Sequence, residues 1–517
     1  MTGGAPFYVT TPIYYVNDAP HLGHAYTTVS VDALVRFHRL DGRKVLFTTG
    51  TDEHGQKVEK SALAAGVEPQ VFCDRVSMLF REMTDLMGVD EYRFVRTTEA
   101  RHIACATALW NELQKRGEIY LGRYGYFYSV RDEAQYDESE LIDGKAPTGA
   151  EVEWVEEENY FFKLSAWQGR LLEFYDRHPD FIAPSSRRNE VISFVKGGLR
   201  DLSISRTSFS WGVPVPNDPK HIMYVWIEAL SVYLTGVGYP DVAGEDFKSF
   251  WPCDLHMVGK DILRFHCVYW PALLMAAGLA PPKRVFAHGW WTVEGQKMSK
   301  SLGNVIAPQA LVERYGLDPL RYFMLRELPF GSDGDLSHRA IVNRINGDLA
   351  NDFGNLAQRV LSMIQRYCDS VVPLPGVTTE ADEALLAAAR ALHEKLRGEF
   401  AEQAYHRALE TIWQVVGEAN RYVDEQAPWA LKKTDQQRCG TVLYVLAETI
   451  RQLAILVQPF MPGSMAKMLD QLLVPADQRD FAALAQPLKA GTVLPKPEGV
   501  FPRYIDEAAE PKTHAGR

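Results

Sequence analysis

The chain has 517 residues, of which 46% are hydrophobic and 23% charged, an ordinary globular composition too long for one core and predicting about three to four domains. Its formal charge of −11 excludes a uniformly basic nucleic-acid-binding surface while leaving room for local basic patches. The six cysteines, Cys73, Cys105, Cys253, Cys267, Cys368 and Cys439, form no CxxC pair and lie far apart, which argues against a disulfide framework or a cysteine zinc knuckle and fits a reducing cytoplasm.

The opening MTGGAPFYVTTPIYYVN lacks the basic and then apolar order of a signal peptide and reads as the first strand of the fold. Residues 7 to 13 are strand-like, Asn17, Asp18 and Pro20 mark a turn, a helix runs from His24 to Leu40, and residues 45 to 49 are strand-like again. Such alternation predicts a parallel α/β sheet. Residues 120 to 215 break the pattern: they are aromatic and β-rich, carry the acidic run Glu151, Glu153, Glu156, Glu157 and Glu158, and read as an insertion. Strands are expected again at 222 to 226, 255 to 258 and 284 to 287, so the pattern predicts one nucleotide-binding fold split by an inserted segment.

From about residue 340 the pattern turns helical. Tyr405, Ala408, Leu409, Ile412, Val416, Ala419 and Val423 recur at helical spacing, as do Leu446, Ile450, Leu453 and Val457, with Pro428 and Pro459 as stops. This predicts a helix bundle with a loop at 372 to 379 and a disordered tail over the last dozen residues. The longest apolar runs, at 453 to 457 and 272 to 277, fall short of the roughly 20 residues a membrane span needs, so a soluble chain without a membrane partner is expected.

Two motifs carry chemistry. His21-Leu22-Gly23-His24 sits between a strand and the start of a helix, where unpaired N–H groups and positive potential favour phosphate and two imidazoles can donate to its oxygens. Read alone, the pair could also be two capping histidines. Lys297-Met298-Ser299-Lys300-Ser301, preceded by Gly295 and followed by Gly303, is a loop whose lysines can close over a polyphosphate and neutralise charge developing in a transition state. A solvated basic loop is the plain alternative, and the two motifs in this order weigh against it.

With these motifs the chain resembles the class I aminoacyl-tRNA synthetases and, within that class, the methionyl-tRNA synthetases, over nearly its whole length. The resemblance is carried by Tyr8-Val9-Thr10-Thr11-Pro12-Ile13-Tyr14-Tyr15, Gly50-Thr51-Asp52-Glu53-His54-Gly55, Tyr224-Val225-Trp226, Gly259-Lys260-Asp261-Ile262 and the lysine loop, and further on by Asn355-Leu356-Ala357-Gln358-Arg359 and Ala427-Pro428-Trp429. It implies a Rossmann-type parallel sheet split by an inserted connective domain and followed by an all-α anticodon-binding bundle. The expected divisions are 1–115 and 216–290 for the two catalytic halves, 116–215 for the insertion, 291–345 for the lysine-loop domain, 346–505 for the bundle and 506–517 for the tail.

The resemblance further implies a ligase that activates L-methionine with ATP and Mg²⁺ and charges initiator and elongator tRNA(Met). It places Ile13, Tyr15, Trp226, Ala229, Leu230, Tyr233, Ile262, Phe265 and His266 around the methionine side chain, a wall suited to a polarizable thioether, with Asp52 on the ammonium. It assigns ATP to His21, Gly23, His24, Gly259, Asp261, His288 and Gly289, with Lys297 and Lys300 on the triphosphate, and it makes His21, His24, Lys297 and Lys300 catalytic. Asn355 and Arg359, one helical turn apart, and Trp429 are implied in anticodon reading, with core packing at a helix end as the plain reading of Trp429.

Two positions depart from the family pattern. Tyr128-Ser129-Val130-Arg131-Asp132-Glu133 has serine where a zinc knuckle would carry cysteine, so no zinc is expected, and Glu228 stands where aspartate is common. The chain ends soon after the bundle, so a monomer is expected. The rivals are synthetases for leucine, isoleucine or valine, which need a longer insertion, and for cysteine, which needs zinc-binding thiols. A small-metabolite nucleotidyltransferase would have no use for Asn355, Arg359 and Trp429, and the intact motifs weigh against a catalytically silent tRNA-binding module.

Overall fold

The structure is a computed structural model that describes residues 4–132, 134–136, 138–293, 295–297 and 306–506. Lys300 and the tail beyond residue 506 lie outside the described residues, and the side chain of Lys297 is likewise not described. The chain divides into two compact units, one formed by Pro6–Val31 and Val45–Trp290, the other by Asp32–Lys44 with the described residues from Trp291 onward and residues 4–5.

The first unit is built on a parallel sheet. Its early elements are β1 (Phe7–Thr10), β2 (Tyr14–Tyr15), the start of α1 (Leu22–Leu40), whose residues from Asp32 onward belong to the other unit, β3 (Val45–Asp52), α2 (Gln56–Ala64), α3 (Pro69–Leu86), β4 (Arg93–Arg96) and α4 (Ala100–Lys115). Strand β1 is buried on both faces, as a central parallel strand must be when helices cover the sheet. Gly50 in β3 is there for a close approach: a Cβ would lie 1.8 Å from the Val95 carbonyl oxygen on β4.

The inserted segment opens with β5 (Ile119–Ser129), β6 (Ala134–Tyr136) and β7 (Glu153–Phe162). The antiparallel β5–β7 pair runs from Ile119 opposite Phe162 to Tyr128 opposite Glu153. Then come α5 (Gln168–Arg177), β8 (Ile182–Ala183), α6 (Ser185–Lys196), β9 (Leu202–Ser203), β10 (Ser205–Arg206), β11 (Pro214–Val215) and β12 (Asp218–Met223). The segment is not wholly foreign to the parallel sheet, because β8 pairs with the strand over Val285–His288 at the sheet edge. The strand expected at 222 to 226 also differs: β12 ends at Met223 and pairs antiparallel with β10 and β11 in a separate sheet, and Val225 begins a helix. Tyr-Val-Trp is apolar enough for either state, and a short apolar run does not separate a buried helix from a strand.

The unit closes with α7 (Val225–Leu230), α8 (Val232–Thr235), α9 (Glu245–Phe250), β13 (Leu255–Gly259), a π-helical turn over Phe265–Tyr269, α10 (Trp270–Ala276) and β14 (Val285–His288). The sheet order is β2-β3-β1-β13-β14-β8, with β4 on β3. Strand β1 thus has the early strands on one side and the late strands on the other, and the crevice beyond such a switch point is where open α/β sheets take ligands.

The second unit contains β15 (Trp291–Val293), β16 (Gln296–Lys297), α11 (Pro308–Tyr315), α12 (Leu317–Arg326), β17 (Gly334–Leu336) and α13 (His338–Arg344), with β15 between β16 and β17. Helices α14 (Asn355–Tyr367), α15 (Glu380–Ala401), α16 (Tyr405–Gln426), α17 (Pro428–Thr434), α18 (Gln436–Val457) and α19 (Pro462–Gln471) follow. Helix α15 starts on the Thr379 amide donating to Asp382 at 2.8 Å. By length and composition α18 could cross a membrane, although its polar interruptions hide this in the sequence; 94% of that stretch is buried inside the fold, so it is the core helix of the bundle.

Candidate active site

A cavity of about 380 Å³ opens at the carboxyl ends of the parallel strands. At its polar end, α1 begins with Leu22 and carries no acidic residue in its first turn, leaving its N-terminal field positive. The His21 and His24 rings stack with centroids 3.8 Å apart. The Gly23 amide donates to His21 Nδ1 and the His21 amide to His24 Nδ1, both at 3.1 Å. An acceptor Nδ1 leaves the proton of a neutral ring on Nε2. Burial lowers the pKa of His21 against the opposing Asp261 carboxylate, and burial with the neighbouring His21 holds His24 well below the ordinary histidine range. The pair can therefore offer neutral N–H donors. A Cβ at Gly23 would stand 3.0 Å from His21 Cε1, so glycine keeps the two rings close.

His288, at the end of β14, donates from Nδ1 to the Gly289 carbonyl at 2.9 Å and meets the Thr27 hydroxyl through Nε2 at 2.8 Å. Burial lowers its pKa, with the Gly289 bond and Asp261 opposing. Gly259 ends β13, and a Cβ there would lie 2.5 Å from Asp261 Oδ1. Asp261 accepts from Trp290 Nε1 at 3.1 Å, and Lys260 Nζ lies 4.3 Å from the centre of the Trp290 ring.

The apolar end is assembled from β2, α7, α8 and the turn after β13. Ile13, Tyr15, Trp226, Ala229, Leu230, Tyr233, Ile262 and His266 line it, with Asp52 at the end of β3. Asp52 is 7% exposed. Tyr233 donates to His266 Nε2 at 2.6 Å, and His266 Nδ1 donates to the Ile262 carbonyl at 2.9 Å. Burial drives the His266 pKa down to about 4. The ring is therefore neutral at pH 7 and adds an aimed dipole without a charge, the charged groups nearby being Asp52 and Lys57, whose Nζ lies 5.9 Å from the Tyr15 ring centre.

Two expected contacts differ. Phe265 does not line the cavity; it stacks on Trp226, with ring centroids 3.7 Å apart, and backs that ring. Gly289 does not line it either, and its carbonyl orients His288. Lining residues that the sequence reading passed over include Pro12, Tyr14, Thr27, Lys57, Asp132 and Trp290. Thr27 was findable, since it lies one helical turn after Gly23. Asp132 comes from the inserted segment, where no pattern pointed to it.

In the second unit, Asn355 and Arg359 lie on α14. The Arg359 guanidinium lies 4.9 Å from the centre of the Trp429 ring and pairs with Asp424 at 2.7 Å. Trp429 is 40% exposed, so it is not the core residue of the plain reading. At the knuckle turn, Ser129 is buried and accepts from the Asp132 amide at 3.2 Å. Asp132 itself is tied to Thr148, Tyr136 and Arg131. A hydroxyl and a carboxylate already held this way do not make the thiolate set a structural zinc site requires, and among the described residues no group of three or more potential metal ligands is assembled.

Known proteins match both halves of this description. The family "tRNA synthetases class I (M)" matches residues 7–153 and 134–361, and "Anticodon binding domain of methionyl tRNA ligase" matches residues 372–515. The chain is 56% identical over 508 residues to the methionine–tRNA ligase of Mesorhizobium japonicum, covering 97% of this chain and 98% of that protein. It is 54% identical to the methionine–tRNA ligase of Mycobacterium tuberculosis strain H37Rv, covering 96% and 98%. The structure superposes on Mycobacterium tuberculosis methionyl-tRNA synthetase in complex with methionyl-adenylate with a TM-score of 0.94 at 54% identity, covering 97% of this chain and 100% of that one. A split parallel sheet with an HxGH helix start and a cavity at its switch point, matched end to end by these relatives, means that the chain belongs to the methionyl-tRNA synthetase family of class I aminoacyl-tRNA ligases.

Proposed function

We propose that this chain joins L-methionine to ATP as methionyl-adenylate and passes the methionyl group to the 3′-terminal adenosine of tRNA(Met), initiator and elongator alike. The observation that carries the reading is one cavity that sets a neutral histidine pair at a helix N-terminus beside a largely apolar, aromatic wall with the Asp52 carboxylate at its side. A methionine carboxylate oxygen attacks the α-phosphorus, and the bond to the bridging oxygen breaks to release pyrophosphate. His21 and His24 donate to phosphate oxygens, while Lys297 and Lys300 take the charge of the leaving group. Gly259, Asp261, His288 and Gly289 serve the nucleoside end. Asp52 holds the ammonium, Trp226 and Tyr233 pack the thioether, and Phe265 keeps Trp226 in place. Mg²⁺, carried on the nucleotide, would add charge neutralisation.

The test is amino-acid-dependent pyrophosphate exchange across the twenty amino acids. Methionine should give strong exchange. Norleucine should be a weak substrate, because the pocket discriminates near-isosteres by about 1–3 kcal/mol. Leucine turnover equal to that of methionine would end this reading.

The bundle is read as the anticodon site, with Trp429 as a stacking surface held by Arg359 and with Asn355 one turn before Arg359 on the same helix. Stacking on an aromatic is worth roughly 1–3 kcal/mol per base. Trp429→Ala should therefore leave methionine-dependent exchange intact while weakening tRNA binding about tenfold to a hundredfold. The check compares tRNAs with CAU and altered anticodons, and an unchanged preference for CAU in the variant would remove Trp429 from recognition. The chain is also read as a cytoplasmic monomer, a setting consistent with six free cysteines of which five are buried.

A further inference from the structure

Glu228 is fully buried, yet it belongs to none of the groups placed on methionine or ATP. It lies on α7, between Trp226 and the Ala229-Leu230 pair that line the cavity. Its carboxylate accepts from two histidines on other elements: His54 Nδ1 at 3.0 Å and His102 Nε2 at 2.8 Å. Both rings are buried as well. His102, on α4, meets Thr235 Oγ1 on α8 through Nδ1 at 3.0 Å. Burial alone would raise the Glu228 carboxyl, but the His54 and His102 rings outweigh it and hold its pKa below the ordinary glutamate range.

The elements joined by this network are those that carry the pocket. His54 follows Asp52 by two residues at the end of β3, and its ring packs against Trp211 at 5.6 Å. Helix α7 carries Trp226, Ala229 and Leu230, and α8 carries Tyr233. Helix α4 is the common post to which α7 and α8 are tied. A buried carboxylate that lost one of its partners would be costly, so the network admits little sliding of α7 against β3.

We infer that Glu228 is a positioning residue that fixes the distance between the Asp52 carboxylate and the aromatic wall, and so sets how closely the pocket grips its amino acid. This rests on the reading that the cavity takes methionine. Reach matters more than charge here: glutamine keeps the length and can meet both rings with one tautomer exchanged, whereas aspartate keeps the charge but is one methylene short of spanning from α7 to both.

The experiment measures pyrophosphate exchange, with separate kcat and KM for methionine and for ATP, together with thermal melts. Glu228→Gln should stay close to wild type. Glu228→Asp should raise the methionine KM about tenfold with kcat and the ATP KM little changed. Thr235→Val, nearly isosteric and remote from substrate, should give a smaller change in the same direction. Asp52→Asn serves as the control on the pocket. A raised methionine KM in Asp52→Asn, with none in Glu228→Asp or Thr235→Val, would overturn the positioning role and leave the pocket standing. An unchanged methionine KM in all of them would overturn the pocket and the positioning role together. Equal damage in Glu228→Gln and Glu228→Asp, tracking lost melting temperature, would reduce Glu228 to a structural ion pair.

Discussion

Replacing His24 with alanine is expected to slow methionine-dependent pyrophosphate exchange by roughly 10²–10³-fold, or about 3–4 kcal/mol, the usual cost of one preorganised donor to a developing oxyanion. The effect should fall on kcat, because the donor acts on charge that grows at the phosphate in the transition state. Methionine affinity should hardly change, since His24 stands at the polar end of the cavity, away from Trp226 and Tyr233. Because burial and His21 hold the His24 pKa well below its ordinary value, the ring stays neutral at and above that value. The loss should therefore be the same across neutral and alkaline pH. Steady-state exchange at several pH values checks this. A loss confined to the methionine KM would place His24 elsewhere in the reaction.

The second large effect is expected from Asp52→Ala. Asp52 is a nearly buried carboxylate beside a largely apolar wall, and truncating one member of a buried hydrogen-bonded charge pair costs about 2–5 kcal/mol. The methionine KM should rise by roughly two orders of magnitude. A competitor that keeps the thioether chain but lacks the amino group should bind wild type and variant alike. If the variant lost affinity for this competitor as well, Asp52 would be shaping the pocket instead of meeting an ammonium.

Much of this site could be read before the structure because its chemistry is local in sequence. His21, Gly23 and His24 fall within one helical turn, and the strand before and helix after are marked by apolar alternation and periodicity. Gly259 and Asp261 close one apolar strand, but their place in the site came from the family resemblance and not from their spacing. The bundle was legible for the same reason, since its apolar positions repeat every three to four residues. What could not be read depends on distant contacts. Nothing in the sequence shows that Glu228 spans His54 and His102, because lone buried histidines carry no pattern. The helical state of Val225 was hidden by its strand-like aromatic and β-branched neighbours. The joining of Ile182–Ala183 to the parallel sheet was hidden by the brevity of a two-residue strand. The resemblance put Phe265 in the wall, and nothing in the sequence shows that it stacks behind Trp226. Asp132 reaches the cavity from a segment whose composition marked it as foreign to the sheet.

The most direct measurement is a single-turnover experiment with labelled methionine and ATP, quenched before and after tRNA is added. The purified protein is expected to form enzyme-bound methionyl-adenylate without tRNA, in an amount stoichiometric with active sites, and adding tRNA(Met) should move the label to the 3′-terminal adenosine as AMP is released. Failure to form adenylate in the absence of tRNA, or adenylate that stays on the protein when tRNA(Met) arrives, would contradict the proposed function.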